Sequence, residues 1–313
     1  MNKPKLRGHA IMLLVSIIFG LNISVSKSLL ASTLVQPEAL TLARMLFAGT
    51  AFWIASLFIK RERVTPKDQL MLIFGSMCGI TFNQGMFIFG LDRTSPIDAS
   101  IIVTSTPMLA MILAAFILKE PITLKKAAGV IIGAIGAIIL ITTAQGQEVK
   151  ASTLTGNLLV FASSCIYALY LVCIKPIIER YNPVTVMKWM FLYASLMMIP
   201  FMLKSLINAP IFTQAQSIRP FLSLFYTLFG ATFLTYLLIP MAQRLIRPTT
   251  IGMYNYVQPL VATLAAVIIG QDNLTWMKIL SAILIFVGVY MVTMSKSRQQ
   301  QLEEEKQKQQ TLQ

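Results

Sequence analysis

Ten apolar runs, each about 20 residues long, follow one another along this chain and restrict it to one class of fold. A helix needs about 20 residues to cross the hydrocarbon core of a bilayer. Backbone in lipid has to satisfy its own hydrogen bonds, so runs of this length become helices. We therefore predict an all-α polytopic membrane protein with ten transmembrane helices, over residues 9–30, 38–59, 70–90, 97–118, 124–143, 156–177, 184–204, 221–241, 250–269 and 275–294.

The composition supports this prediction. The 313-residue chain is 56% hydrophobic and only 12% charged, whereas soluble domains carry roughly a quarter charged residues. Its net charge of +14 does not indicate nucleic-acid binding, because the cations lie in the gaps between apolar runs and are not interleaved with aromatic residues. The three cysteines lie inside apolar runs and form no disulfide or metal-binding pattern. We expect no metal, no cofactor and no nucleic-acid partner.

One stretch, residues 96–142, is present twice, the second time 152 positions further on. A self-match at a fixed offset indicates a duplicated unit. With five spans in each half, the second half enters the membrane from the opposite side, which gives an inverted-topology repeat of the kind found in secondary transporters. We predict a first repeat over residues 1–146, a second over residues 147–295, and a charged tail over residues 296–313. The matched pairs include Pro96 with Pro248, Pro107 with Pro259, Glu120 with Asp272, and Lys126 with Lys278.

The distribution of positive charge predicts the orientation. Ten spans place both termini on one side, and that side carries 19 of the 26 Lys and Arg residues. Positive residues accumulate in cytoplasmic loops. The basic segment 1–8 precedes a long apolar run without a clear cleavage site, so we interpret it as the start of a retained first helix. We expect a multi-pass protein of the inner (cell) membrane with cytoplasmic N- and C-termini.

Several motifs resemble those of a known family. Residues 90–100 read GLDRTSPIDAS, a proline follows at position 107, and residues 118–123 read LKEPIT. Residues 242–275 repeat this pattern, and Arg44 matches the arginine of the family's second helix. The chain thus resembles the EamA-type permeases of the drug/metabolite transporter superfamily. The resemblance implies a central cavity lined mainly by the first, third and fourth helices of each half. It also implies export or exchange of small metabolites, amino acids among them, by alternating access.

Polar side chains inside the apolar runs are the candidate substrate ligands, because such groups usually face the bundle interior or a cavity. Amides could hydrogen-bond a polar solute while aromatic rings cover its apolar part. Hydrogen bonds that only hold the helices together are the alternative. The predicted substrate-binding residues are Asn22, Asn83, Gln84, Phe87, Tyr167, Tyr170, Tyr236, Tyr254, Asn255 and Gln258.

Two prolines and three cations in the predicted spans each have two possible roles. Pro107 and Pro259 occupy equivalent positions in the fourth and ninth spans and are predicted gating hinges, with a purely structural kink as the alternative. Lys27, Arg44 and Lys175 are predicted to form a charged pathway for an anionic group. Snorkelling of these side chains to the membrane surface explains them equally well.

The function that we predict is a secondary transporter, not an enzyme. No span has an acidic residue at its centre, which favours a facilitator or exchanger over a proton-driven pump. No nucleophile–base pair and no glycine-rich nucleotide loop is present. A phosphate- or nucleotide-linked exchanger remains an alternative and requires Lys27 or Arg44 to face the cavity. A membrane scaffold or sensor is another. The expected partners are a small-molecule substrate and the lipid bilayer, and the oligomeric state stays open, a monomer included.

Overall fold

A computed structural model describes residues 3–94, 96–142, 153–215, 217–268 and 275–295. Ten long helices make up this part of the chain, which confirms the predicted all-α polytopic architecture. The predicted boundary at 146/147 and the tail after residue 295 lie outside the described residues. The helices of the first half are α1 (Lys3–Ala31), α2 (Pro37–Ala55), α3 (Pro66–Arg93), α4 (Pro96–Val103 and Thr106–Ile117) and α5 (Leu124–Thr142).

The second half repeats this order of helices. The sixth predicted span, 156–177, was placed too far along the chain, because Pro176 cannot continue a helix and α6 ends at Cys173. A separate short helix, Lys175–Arg180, follows it. The helices of the second half are α6 (Leu154–Cys173), α7 (Pro183–Ile207), α8 (Arg219–Gln243), α9 (Pro248–Met253, Tyr254–Tyr256 and Val257–Ile268) and α10 (Trp276–Thr293).

The helices begin where the local sequence favours a start. Proline occupies the first turn of α2, α3, α7 and α9, where its missing N–H removes no hydrogen bond. Thr65, Thr153 and Asn182 accept a hydrogen bond from a backbone N–H in the first turn of α3, α6 and α7. Each such cap stabilises its helix by about 1 kcal/mol.

Seven of the described helices are long and apolar enough, by length and composition, to cross a membrane: α1, α2, α3, α6, α7, α8 and α10. The apolar part of α4, residues 101–117, is shorter. Large apolar side chains such as Phe58, Phe116 and Phe201 are more than three-quarters exposed. Exposed apolar surface of this kind is expected where lipid, and not water, surrounds the protein.

Two pairs of equivalent helices are interrupted at equivalent places. A π-helical turn occupies residues 77–82 of α3 and residues 226–234 of α8, and the 152-residue offset maps the first onto the end of the second. The fourth helix breaks at Thr104 and Ser105, and α9 tightens into a 3₁₀ turn over Tyr254–Tyr256. Each of these breaks lies just before the mid-helix proline, Pro107 or Pro259. The duplication is therefore visible in the irregular backbone as well as in the sequence.

The first helix of each half packs against the other half. Helix α1 contacts α8 and α9, and its equivalent α6 contacts α3 and α4. We call these two groups the α1 bundle (α1, α8 and α9) and the α6 bundle (α3, α4 and α6). Helices α2 and α7 pack against each other beside the two bundles, with Phe52 stacked on Phe191 at 5.5 Å between ring centroids.

Helices α5 and α10 form a third pair, which packs mainly against itself. They approach closely at glycines: a Cβ built on Gly129 would lie 2.9 Å from the carbonyl oxygen of Gly288. Small residues allow such backbone contact between membrane helices. The Tyr256 hydroxyl joins this pair to α9 by donating to the Val130 carbonyl at 3.1 Å. The pair thus lies outside the set of helices that the family resemblance predicts to line the cavity.

Candidate functional site

A cavity of about 710 Å³, including the open space at its mouth, lies at the centre of the helices. Residues of α1, α3, α4, α6, α8 and α9 line it, together with Arg44 of α2. The cavity therefore lies between the α1 bundle and the α6 bundle.

Most of the residues predicted to bind substrate line this cavity. They come from different helices and were predicted only because each is polar or aromatic within an apolar run. The structure brings eight of the ten together: Asn22, Asn83, Gln84, Phe87, Tyr167, Tyr236, Asn255 and Gln258.

Tyr170 and Tyr254 are the two that do not line the cavity. Tyr170 is buried behind it, stacked against Tyr167 with ring centroids 6.0 Å apart. The hydroxyl of Tyr254 lies 2.8 Å from Nδ1 of His9, and the Tyr254 carbonyl accepts a hydrogen bond from Ser16. Both tyrosines contact other residues beside the cavity. Their contacts agree with the alternative interpretation, in which these side chains only hold the helices together.

The sequence reasoning missed seven cavity residues. Five of them are apolar or carry only a threonine hydroxyl, so polarity does not distinguish them within an apolar run. The helical period supplies a signal for three of the seven, because residues three or four positions apart share a face: Phe19 lies three positions before Asn22, and Ser163 and Ser164 lie four and three positions before Tyr167. The seven are Phe19, Ile23, Val103, Thr106, Ser163, Ser164 and Ile239.

Gln84 and Tyr236 are equivalent positions of the two halves, 152 residues apart, and both line the cavity. The Tyr236 hydroxyl donates to the Gly79 carbonyl in the π-helical turn of α3 at 2.9 Å. Gln84 lies beside Tyr236 and is only 3% exposed. Neither its amide nitrogen nor its amide oxygen has a hydrogen-bond partner of normal geometry. At the centre of the site, the Tyr236 hydroxyl therefore has a hydrogen bond within the protein, whereas the Gln84 amide has none of normal geometry.

Arg44 carries the positive charge of the cavity and is 4% exposed. Its Nε donates to the Thr232 hydroxyl at 2.8 Å, and one terminal nitrogen donates to the Ala231 carbonyl at 3.3 Å. Ala231 is the repeat equivalent of Gly79, so the same carbonyl of each π-helical turn accepts a bond from the facing half. These bonds fix the guanidinium at the cavity wall.

The other amides of the cavity are oriented by neighbouring groups. Asn83 donates to the carbonyl and the hydroxyl of Ser163, each at 3.1 Å. Gln258 donates to the side-chain oxygen of Asn255 at 3.0 Å. The oxygen of Asn22 accepts from Ser26 at 3.3 Å. The same amides therefore line the cavity and hydrogen-bond to neighbouring residues. Among the described lining residues, only Arg44 carries a formal charge.

The remaining candidates lie outside the cavity. Lys27 donates from Nζ to the carbonyls of Leu91 at 2.7 Å and Thr94 at 3.1 Å, where it caps the end of α3. Lys175 lies beyond the end of α6, 3.9 Å from Glu179. Pro107 and Pro259 follow the breaks of α4 and α9 but do not line the cavity, although Thr106 does.

Two helical halves with the same order of helices surround a central amphipathic cavity, an architecture that recurs among membrane transporters. The model of the EamA-like transporter family matches this chain twice, over residues 6–142 and 154–294. The chain belongs to that family, which confirms the resemblance seen in the motifs. It is therefore a multi-pass membrane transporter and not an enzyme.

Named relatives are similar over nearly the whole chain. A "probable amino-acid metabolite efflux pump" of Salmonella typhimurium is 29% identical over 89% of this chain and 92% of its own length. A protein of the same description from Escherichia coli K12 is 28% identical over the same shares. One crystal structure of a protein 18% identical to this chain superposes with a TM-score of 0.71, covering 93% of this chain and 97% of that one. At that identity the superposition shows the fold alone.

Proposed function

We propose that this protein exports or exchanges amino acids or closely related small metabolites by alternating access. The observation that carries the proposal is the central cavity, which combines neutral amides, aromatic rings and a single buried cation. A zwitterionic solute with an apolar side chain needs polar and apolar walls of this kind. The description of two relatives as amino-acid metabolite efflux pumps supports the same class of solute.

The arrangement of the helices supports a rocking mechanism. The cavity lies where the α1 bundle meets the α6 bundle, so a rotation of one against the other exposes it to one face and closes it from the other. The breaks in α4 and α9, just before Pro107 and Pro259, are the proposed hinges, because interrupted backbone can absorb changes in dihedral angle. The protein is proposed to lie in the inner membrane with both termini in the cytoplasm.

The driving force that we propose is the gradient of the solute itself or of an exchanged solute. None of the described cavity residues is Asp, Glu or His, so the described lining offers no ordinary proton carrier. Transport that collapses with a protonophore, and that follows an imposed pH gradient, would contradict this.

The test of the proposed function compares amino acids inside and outside cells that do or do not express the protein. The inactive control combines Gln84→Ala and Asn255→Ala, one from each bundle. Gly85→Ala is the matched neutral control, because a Cβ at Gly85 meets no atom within 4 Å. Accumulation of a few amino acids outside cells that make the wild-type or Gly85→Ala protein supports the proposal. Equal profiles with verified membrane insertion, together with no counterflow of amino acids into vesicles, contradict it.

A phosphate- or nucleotide-linked exchanger is the second candidate. It requires a cation at the cavity, and Arg44 meets that requirement whereas Lys27 does not. Counterflow of inorganic phosphate into vesicles that contain phosphate would favour it. A scaffold without transport has no support from a family of transporters.

A further inference from the structure

We propose that the cavity binds its solute through a carboxylate held by Arg44, with Gln84 as a second polar anchor, so that the substrates are monocarboxylates with an apolar body. This inference rests on the proposed function and narrows the class of solute. It selects against amines, amides and other solutes that lack the carboxylate, whatever the shape of their apolar part.

The first reason is the charge that Arg44 places in the cavity wall. Its two hydrogen bonds go to neutral oxygens, those of Thr232 and Ala231, and not to a carboxylate. The described residues that line the cavity include no Asp or Glu. A buried cation with only neutral partners is costly unless an anion joins it. A carboxylate matches the planar guanidinium and can accept two parallel hydrogen bonds from it.

The second reason is that the arginine is held in place before any solute arrives. The Thr232 hydroxyl donates to the Thr227 carbonyl at 2.8 Å, so its oxygen is left to accept from Nε of Arg44. The π-helical turn of α8 supplies the Ala231 carbonyl to a terminal nitrogen. Turns of this type occur often at functional sites. Preorganisation of this kind reduces the entropy that binding would otherwise lose.

The third reason is Gln84, a buried amide that lines the cavity without a hydrogen-bond partner of normal geometry. Buried polar groups are nearly always paired, so a bound solute can supply the partners that this amide lacks. Tyr236 lies beside Gln84 and also close enough to Arg44 to interact with its charge. Both anchors therefore lie around Tyr236 in the cavity wall. The Gln84 oxygen can accept a hydrogen bond from a solute ammonium, while its nitrogen can donate to a carboxylate.

The count of charges favours a carboxylate over a phosphate. A phosphate monoester carries about −1.5 to −2 at neutral pH, and Arg44 supplies a single positive charge. Lys27 is engaged at the end of α3, and Lys175 lies beyond the end of α6, so neither is placed to supply a second. Aromatic and aliphatic residues such as Phe19, Phe87 and Ile239 cover the rest of the wall. Excess negative charge would be poorly solvated there.

The test measures binding to the purified full-length protein in detergent. The probes are the neutral L-amino acids, the primary amide and the decarboxylated amine of each, and their phosphate-bearing analogues. For wild type we expect each amino acid that binds to do so about tenfold or more tightly than its amide, the ratio expected for loss of one charged hydrogen-bonded pair. Arg44→Gln should bring that ratio close to one, and Arg44→Lys should retain part of it.

Thr232→Val separates this role from a structural one. It removes the hydroxyl that accepts from Nε of Arg44 but leaves the charge, so the preference for carboxylates should persist even if binding weakens overall. If Arg44→Gln does not fold, the wild-type ratio and the Arg44→Lys and Thr232→Val proteins still decide the question.

Each other result overturns the inference in its own way. If wild type binds amino acids and their amides with equal affinity, the proposed carboxylate anchor is contradicted but amino-acid transport is not. An undiminished ratio in Arg44→Gln assigns the preference to another group. If the phosphate-bearing probes bind more tightly than the amino acids, the result favours the phosphate- or nucleotide-linked exchanger. Binding of none of the probes, together with no efflux from cells, contradicts the proposed function itself.

Discussion

Position 79 leaves no room for a side chain. A Cβ built on Gly79 would lie 2.4 Å from the ring of Tyr170, which is fully buried. Gly79→Ala should therefore destabilise the protein by about 1–3 kcal/mol, the range expected for overpacking a core. Gly85→Ala on the same helix should change stability little, because its Cβ meets nothing within 4 Å. Thermal unfolding in detergent compares the two, and equal midpoints would contradict the packing described for Tyr170.

Two buried tyrosines, one at the cavity and one away from it, allow the structural role of a hydroxyl to be distinguished from a role in transport. Tyr236 donates to Gly79 and lines the cavity, whereas Tyr256 donates to Val130 and does not. Each Tyr→Phe substitution should cost about 1–3 kcal/mol of stability, because a buried carbonyl loses its partner. Only Tyr236→Phe should also reduce the rate of transport per folded molecule. A similar loss of transport in Tyr256→Phe would contradict this assignment of the cavity wall.

At the scale of the helices, run length and proline position predict nearly all the elements. The predicted runs begin and end within about six residues of the helices: the largest difference is at the start of α1, and Pro176 ends α6 four residues early. The π-helical turns of α3 and α8 were not predicted. Their carbonyls accept bonds from Tyr236 and Arg44 of the facing half, and such contacts between distant residues leave no mark in the local sequence.

Because the first helix of each half packs against the other half, a disulfide bond within a bundle can be predicted. A Cβ built on Gly8 of α1 lies 3.0 Å from Cβ of Leu245, in the loop that joins α8 to α9. This distance is about 0.5 Å shorter than the roughly 3.5–4.5 Å of a disulfide, so a small shift of the loop is enough to form one. We expect a cysteine pair at these two positions to form a disulfide without stopping transport, because the proposed rotation keeps α1 and the loop before α9 together. Transport that stops on oxidation and resumes on reduction would show that the bundles are divided differently.

For the whole molecule, the sequence predicts the duplication, the membrane class and eight cavity residues that the structure brings together. It does not predict that Tyr170 and Tyr254 face away from the cavity, since polarity within a run does not reveal direction. Nor does it distinguish Arg44 from Lys27, because both are cations near a membrane surface. Only the packing of α2 against α8 and of α1 against the end of α3 separates their roles.

The charge asymmetry leads to a prediction about the two ends of the chain. With 19 of the 26 cations on one side, a fluorescent protein fused to either terminus should be fluorescent, and a periplasmic phosphatase fused there should be inactive. The same phosphatase in the loop between α1 and α2 should be active. Phosphatase activity at either terminus would reverse the proposed orientation.

The central claim is that the cavity opens and closes when the α1 bundle and the α6 bundle rotate against each other. A disulfide between the bundles tests this claim directly. A Cβ built on Gly252 of α9 lies 3.6 Å from Cβ of Ala110 of α4, within the usual range for a disulfide. The measurement is counterflow of a radiolabelled neutral amino acid into vesicles that carry the Ala110→Cys, Gly252→Cys protein, with the three native cysteines replaced by alanine.

The single-cysteine proteins and the Gly8→Cys, Leu245→Cys pair serve as controls. We predict counterflow in the reduced protein, its loss when the bridge between α4 and α9 forms, and its return with reductant, while the controls stay active throughout. Undiminished counterflow in the fully bridged protein would contradict movement of the two bundles about the cavity.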